Sequence, residues 1–180
     1  MKNDDVQYIN DISYGYWKAQ VLFVASELDL FTLIGERGKS GKLISKKLGS
    51  DLRATEMLLN ALVSLKLLSK SKEIYCNTAV SRRCLMKDSP AYQGDRIQHF
   101  HNMWDYWSGL GRAVKTGKPT AFYNAKKGVD KKRLREFISA MHNTASVQAD
   151  QLYTKLQIKK YSRLLDLAGG QGTYSVKFAE

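Results

Sequence analysis

Proline is scarce in this chain, at two residues in 180, and cysteine is equally scarce at two. With few chain breakers and no long polar tract, the composition argues against an intrinsically disordered segment. Cys76 and Cys84 form neither a CxxC pair nor a spaced framework, which excludes a disulfide scaffold and points to a reducing compartment. Acidic residues are short as well: 17 against 29 basic ones leave a formal net charge of +12. That balance favours an anionic partner, whether nucleic acid, anionic lipid or an acidic protein domain, and carries no information about fold. No apolar run approaches the ~20 residues that span a bilayer. The opening "MKNDDVQYIN" lacks a basic stretch followed by an apolar core, so it is not read as a signal peptide. The chain reads as cytoplasmic.

What is present is mainly helical patterning. From Asp5 to about Gly35, Ile9, Ile12, Tyr16, Ala19, Phe23 and Leu30 recur at helical steps. Asp29 with "LFTLI" begins a short second helix that Gly35 ends. So much apolar and aromatic surface near an N-terminus has two readings: a core helix of this chain, or an arm that packs on a second subunit. "GERGKSGK" (Gly35 to Lys42) resembles a phosphate loop only superficially, because the required glycine at 33 is Leu33 and no strand precedes it. It is read as a loop whose Ser40 caps the helix running to Leu48.

Asp51 begins another helix, with Met57, Leu58, Leu62 and Leu65 as its apolar stripe and Arg53, Glu56, Asn60 and Ser64 facing away. "LLSKSKEIYC" follows as a hairpin around Ser71-Lys72-Glu73. Helix, turn, helix and hairpin is the order of a winged helix. A base-reading helix concentrates Arg, Lys, Asn or Gln on its outer face; here that face is nearly neutral. A DNA-binding regulator and a structural or dimerising winged helix both stay open, with the second favoured.

A long helix is predicted from about Ala91 to Thr116, with Ile97, Phe100, Trp104, Trp107 and Val114 along one side, a stripe more typical of core than of a binding site. His99 and His101 are two residues apart, so they point to different sides of a helix and cannot share a metal. No metal site is assigned. Asp130 caps a last long helix to about Leu156, whose Leu134, Phe137, Ile138, Met141, Ala145, Ala149 and Leu152 form the cleanest amphipathic pattern in the chain.

The chain closes on "RLLDLAGGQGTYSVKFAE". "RLLDLA" suits a buried parallel strand, and the glycines that follow permit a tight turn with close backbone approach to a ligand. A dinucleotide fingerprint starting at Gly170 fails, because Ser175 stands where Gly or Ala is needed. The pattern D-x-(G/A)-G-G-x-G resembles the first motif of class I S-adenosyl-methionine-dependent methyltransferases. "GYWKAQVLFVASELDLFTLI", "RATEMLLNALVSLKLLSKSKEIYCNTAVSRRCL", "DSPAYQGDRIQHFHNMWDYWSGLGRAVKTGKP", "REFISAMHNTAS" and "LLDLAGGQGTYS" occur in the order found in the small-molecule O-methyltransferases.

That resemblance implies a fold and a reaction. It implies a mainly α chain: a winged-helix dimerisation domain over 1–117, a linker and bridging helix over 118–160, and over 161–180 the first strand, turn and helix of a Rossmann-like domain. It implies homodimerisation through the N-terminal helices and transfer of a methyl from S-adenosyl-methionine to a hydroxyl of a small aromatic or polycyclic molecule. Asp166, Gly169, Gly170 and Gly172 would bind the cofactor, while Phe122, Tyr123, Phe137, Met141 and His142 would line the acceptor pocket. For His142 a purely structural hydrogen-bonding role stays open beside that one. Ala168 departs from the motif, since many relatives carry glycine there. A Rossmann-like domain needs on the order of 100–150 residues. The chain is therefore expected to be the N-terminal part of such an enzyme, without its catalytic base and inactive alone.

Overall fold

A computed structural model describes residues 3–120, 131–156 and 160–179, with all their side chains except those of Asn3, Lys132 and Arg133. The chain divides into two compact units, Met1–Ile97 and Gln98–Glu180.

The first unit begins with helix α1 (Asn3–Glu27). Asp29 then adopts a left-handed φ of 52° and turns the chain into α2 (Leu30–Ile34), which Gly35 ends. Strand β1 (Lys39–Ser40) leads into α3 (Gly41–Leu48). The Ser40 hydroxyl accepts the N–H of Leu43 at 3.3 Å, which satisfies one of the free donors of the first turn. The Asp51 carboxylate does the same for α4 (Leu52–Ser64), accepting the N–H of Ala54 at 2.8 Å. Strands β2 (Leu68–Ser71) and β3 (Ile74–Asn77) form the expected hairpin, and α5 (Ala79–Leu85) follows. Lys72 carries a φ of 53°, the left-handed conformation that two-residue hairpin turns demand. All three strands are antiparallel in the order β1-β3-β2, with Lys39 opposite Tyr75 and Leu68 opposite Asn77.

One hydrophobic core joins these elements. Phe31 and Ile34 of α2, Ile44 of α3, Leu59 and Leu62 of α4, and Leu68 and Tyr75 of the sheet are all buried. Tyr75 keeps its hydroxyl satisfied by donating to Asn60 Oδ1 at 2.9 Å, as a buried phenol requires. The last turns of α1 contribute Ala25, with Val21 and Leu22 packed beside it. Its first turns do not: Ile12 is 62% exposed, and Tyr8, Ile9 and Trp17 are exposed too. The core reading of this helix therefore holds for its last turns and not for its first ones.

The stripe assigned to α4 is out of phase by part of a turn. Met57 is 60% exposed, and the buried line is Thr55, Leu59 and Leu62. So many apolar residues crowd this helix that two stripes fit its periodicity. The buried stripe is the one containing Thr55, whose hydroxyl is satisfied locally. It donates to Asp51 O at 2.7 Å and lies 2.8 Å from the Ser50 hydroxyl.

The single helix expected from Ala91 to Thr116 is three: α6 (Gly94–Asn102), α7 (Trp104–Ser108) and α8 (Leu110–Thr116). The breaks fall at Met103 and Gly109: Met103 N–H is shared between His99 O at 3.2 Å and the tighter partner Phe100 O at 3.1 Å, and Gly109 N–H donates to Tyr106 O at 3.1 Å. Glycine is a poor helix former, and an apolar spacing that continues across such a break conceals it. Of the stripe, Ile97 is packed against the core of the first unit, but three of the others are exposed. Trp107 and Val114 are 67% and 77% exposed, and Phe100 is exposed as well.

The second unit is dominated by α9 (Lys131–Leu156) and ends with α10 (Thr173–Phe178). The proposed cap Asp130 lies outside the described residues. Of the apolar pattern on α9, Ala149 is buried, whereas Leu134, Phe137, Ile138, Met141 and Leu152 are exposed; Ala140, outside that pattern, is buried as well. "RLLDLA" is not a strand here: the sheet of the described residues is made of β1, β2 and β3 alone, and Leu165 and Leu167 are 79% and 80% exposed. A parallel strand exists only through a neighbour that hydrogen-bonds to it and helices that cover it. None of the described residues supplies either.

Candidate functional site

The glycine-rich turn and the helix before it form one assembly. Three residues of the turn are left-handed: Ala168 at φ 58°, Gly170 at 60° and Gly172 at 70°. The turn closes through Gly172 N–H donating to Gly169 O at 2.9 Å, and Val176 N–H then donates to Gly172 O at 2.8 Å to start α10. A side chain on Gly170 or Gly172 would meet no heavy atom within 4 Å, so the space beside both is open. At Gly169 the situation is reversed, because the Asp166 carboxylate folds against the place where a Cβ would stand. That carboxylate accepts a short hydrogen bond from the Ser175 hydroxyl, which clamps the acid to the first turn of α10. Asp166, Gly169, Gly170 and Gly172 are thus gathered in one turn.

Helix α9 braces it. Tyr174 donates to Gln148 Oε1 at 2.7 Å, Lys177 pairs with Asp150 at 2.9 Å, and Tyr153 stacks on Phe178 with ring centres 6.5 Å apart. His142 reaches nearest the turn: its Nδ1 is 2.8 Å from the Thr173 hydroxyl. Phe137 and Met141 lie one turn apart on the same helix, both exposed. The Phe137 ring centre is 5.3 Å from that of His99 on α6. Burial pushes the His99 imidazole below its ordinary pKa of 6.5, a shift that the nearby Glu136 opposes. Glu136 also accepts from Asn102 Nδ2 at 2.6 Å. Phe122 and Tyr123 lie outside the described residues. Among the described residues no three His, Cys, Asp or Glu side chains stand together as a metal site.

Sequence reasoning missed Thr173, Ser175 and Gln148. The first two had a faint signal, since a hydroxyl placed one and three residues after the last glycine is positioned to bond back to a turn. Gln148 had none.

Comparison with known proteins meets this geometry from both ends of the chain. Residues 10–87 match the O-methyltransferase dimerisation domain. The chain is 30% identical to acetylserotonin O-methyltransferase of Homo sapiens, over 91% of this chain and 52% of that protein. An O-methyltransferase family protein from Burkholderia thailandensis superposes with a TM-score of 0.81 at 29% identity, over 96% of this chain and 52% of that one. The human N-acetylserotonin methyltransferase in complex with SAM gives a TM-score of 0.81 at 26% identity, over 98% and 56%. The chain spans about half the length of the curated relatives it matches. The chain thus carries an O-methyltransferase dimerisation domain over residues 10–87 and is similar along nearly its whole length to O-methyltransferases.

Proposed function

We propose that this chain is the dimerising half, together with the first cofactor-binding turn, of an S-adenosyl-methionine-dependent enzyme that methylates a hydroxyl of a small aromatic or polycyclic molecule. The observation that carries the reading is the turn from Asp166 to Gly172. It combines open space beside two left-handed glycines with a carboxylate at its entrance. Those features fit the cofactor, which offers an ammonium group and ribose hydroxyls to an acidic side chain and needs backbone that it can approach closely. When bound, the cofactor supplies a sulfonium methyl for in-line displacement by the acceptor oxygen. The contribution of this chain is to hold and orient. Asp166, Gly169, Gly170 and Gly172 grip the cofactor; Phe137, Met141 and His142, with Phe122 and Tyr123, line the acceptor side. The catalytic base belongs to other residues of the whole enzyme.

The same reading assigns 1–117 to the dimerisation domain, 118–160 to the linker and bridging helix, and 161–180 to the opening of a Rossmann-like catalytic domain. It treats α3, α4 and the β2–β3 hairpin as a winged helix that serves in assembly. Ile9, Ile12 and Tyr16, exposed on α1, would then pack on a second copy of the chain, a role supported by the matched dimerisation domain. The free thiols Cys76 and Cys84 accord with a cytoplasmic enzyme. The alternative, a DNA-binding regulator, is disfavoured by the outer face of α4, where Arg53 stands among Glu56, Asn60 and Ser64.

Titration of the full-length protein with S-adenosyl-methionine tests the reading. Hydrogen bonds to a charged group contribute about 1.5–3 kcal/mol, so Asp166→Asn should weaken binding roughly tenfold or more. The 180-residue chain alone should sediment as a dimer and lack micromolar affinity. Absence of binding by the full-length protein, an unchanged affinity in Asp166→Asn, or micromolar binding by the isolated chain would each overturn it. Salt-dependent binding of duplex DNA would favour the regulator instead.

A further inference from the structure

The contact between His142 and Thr173 joins two regions to which the proposed function gives different tasks, and the hydrogen bonds around it suit one polarity. The Ser146 hydroxyl has a single hydrogen, which it donates to the His142 carbonyl at 2.9 Å. The same oxygen lies 3.4 Å from His142 Nε2, where it is left only to accept. That arrangement suits the neutral tautomer with its hydrogen on Nε2 and a lone pair on Nδ1. The Thr173 hydroxyl, 2.8 Å away, donates to it. A helical serine one turn further along α9 thus suits the tautomer that can receive Thr173.

Thr173 is bonded directly to Gly172, the last left-handed residue of the turn. The other anchors of α10 on α9, at Tyr174, Lys177 and Phe178, lie further from the turn. Three left-handed residues with open space around two of them leave the turn held internally by the Asp166–Ser175 bond and the Gly172–Gly169 bond. The His142 bond is the tie that fixes it to the helix carrying Phe137 and Met141.

We propose that His142 is a positioning residue: through the Thr173 hydroxyl it sets the glycine turn for the methyl donor and couples that turn to the acceptor-lining helix. The inference rests on the methyl-donor reading given above. Coupling of this kind is reciprocal, so an acceptor seated against Phe137 and Met141 should tighten donor binding by the same factor as the donor tightens acceptor binding.

A double-mutant cycle in the full-length protein tests it, with S-adenosyl-homocysteine titrated calorimetrically as a product-like probe. One neutral hydrogen bond contributes about 0.5–1.5 kcal/mol, which corresponds to roughly 2- to 12-fold in affinity. His142→Ala and Thr173→Val should each weaken the probe within that range, and the double variant should be no weaker than either single one. His142→Asn, whose amide oxygen can take the place of Nδ1 as acceptor, should restore most of the loss, which a merely space-filling role would not predict. Nitrogen-15 spectra of the imidazole should show Nε2 protonated, with the Nδ1 signal moving in Thr173→Val. Multiplying effects in the double variant, unchanged affinities or an Nδ1–H tautomer would overturn the proposal. If the wild-type protein does not bind the probe, the donor reading itself falls and takes this inference with it. If Asp166→Asn abolishes binding and His142→Ala does not alter it, only the coupling falls.

Discussion

Asn77 is a buried polar residue that ties β3 to α2 in the first unit. It is 2% exposed. Its amide nitrogen donates to two carbonyls at the end of α2, Phe31 O at 2.8 Å and Gly35 O at 3.1 Å, which ties the last residue of β3 to a helix more than 40 residues earlier in the chain. Its own Oδ1 is buried without a partner. Replacement by alanine removes both bonds, at about 1 kcal/mol each, and strands the Gly35 carbonyl at a further cost of about 1–2 kcal/mol. Phe31 O is less affected, because it still accepts from Gly35 N–H at 3.1 Å. Removing the unpartnered Oδ1 returns on the order of 1 kcal/mol. The expected net loss for Asn77→Ala is about 2–3 kcal/mol.

Asn77→Asp keeps the shape and sharpens the test. It turns the donor face toward two acceptors, so the buried carboxyl should hold its proton, and its pKa in the folded state should rise above the ordinary ~3.9. A raised carboxyl pKa contributes stability that is fully present below the unfolded value and is lost as pH rises through the folded one. The aspartate variant should therefore come closest to wild type near pH 4 and fall behind by up to about 1.4 kcal/mol per pH unit above it. Amide exchange at Leu59 and Leu62 in the core of α4 reports the opening free energy of this unit. An Asn77→Ala variant within about 0.5 kcal/mol of wild type, or an aspartate variant indifferent to pH, would refute the accounting.

Two further outcomes follow from particular backbone and side-chain positions. Ala168 sits at φ 58°, a conformation that costs an L-residue about 1–2 kcal/mol, while glycine loses part of that gain through the freedom of its unfolded chain. Ala168→Gly should strengthen the turn by about 0.5–1 kcal/mol and slow amide exchange at Gly172; faster exchange there would contradict the assigned strain. His99 has a pKa lowered chiefly by burial, so the folded state binds fewer protons than the unfolded one just below pH 6.5. Packing of α6 on α9 should weaken as pH falls through that window, and His99→Phe should remove the dependence in thermal melts followed between pH 5 and pH 7.

Much of the first unit was legible because its signals are local. Ser40 and Asp51 reach amides three residues ahead, and a hydroxyl or carboxylate at that offset before an apolar run is visible without any tertiary information. The β2–β3 hairpin announced itself as two short runs around a polar turn, although Ser71, expected in the turn, pairs with Ile74. The Met57 error has the opposite origin: which of two overlapping stripes faces the core depends on where α2 and β3 place Phe31 and Tyr75, and nothing within α4 encodes that. At the candidate site the glycine turn was legible from composition and spacing, whereas the bond from His142 to Thr173 spans 31 residues and could not be read from either segment alone.

The overcalled elements share one physical cause. An amphipathic or apolar pattern states that a surface is to be removed from water, and it does not state which surface removes it. In the first unit the pattern is answered within the chain, by α2, α4 and the sheet closing on one core. In the second unit the described residues bury Ala140 and Ala149, while Trp107, Val114, Phe137, Met141, Leu165 and Leu167 remain in solvent. Trp107, Val114, Phe137 and Met141 were flagged by the same periodicity argument that succeeded for Leu62, and Leu165 and Leu167 by the apolar run read as a strand. The difference is therefore not in the side chains. It lies in whether an element with a complementary face is available within the same unit, a property of topology that hydrophobic spacing does not contain.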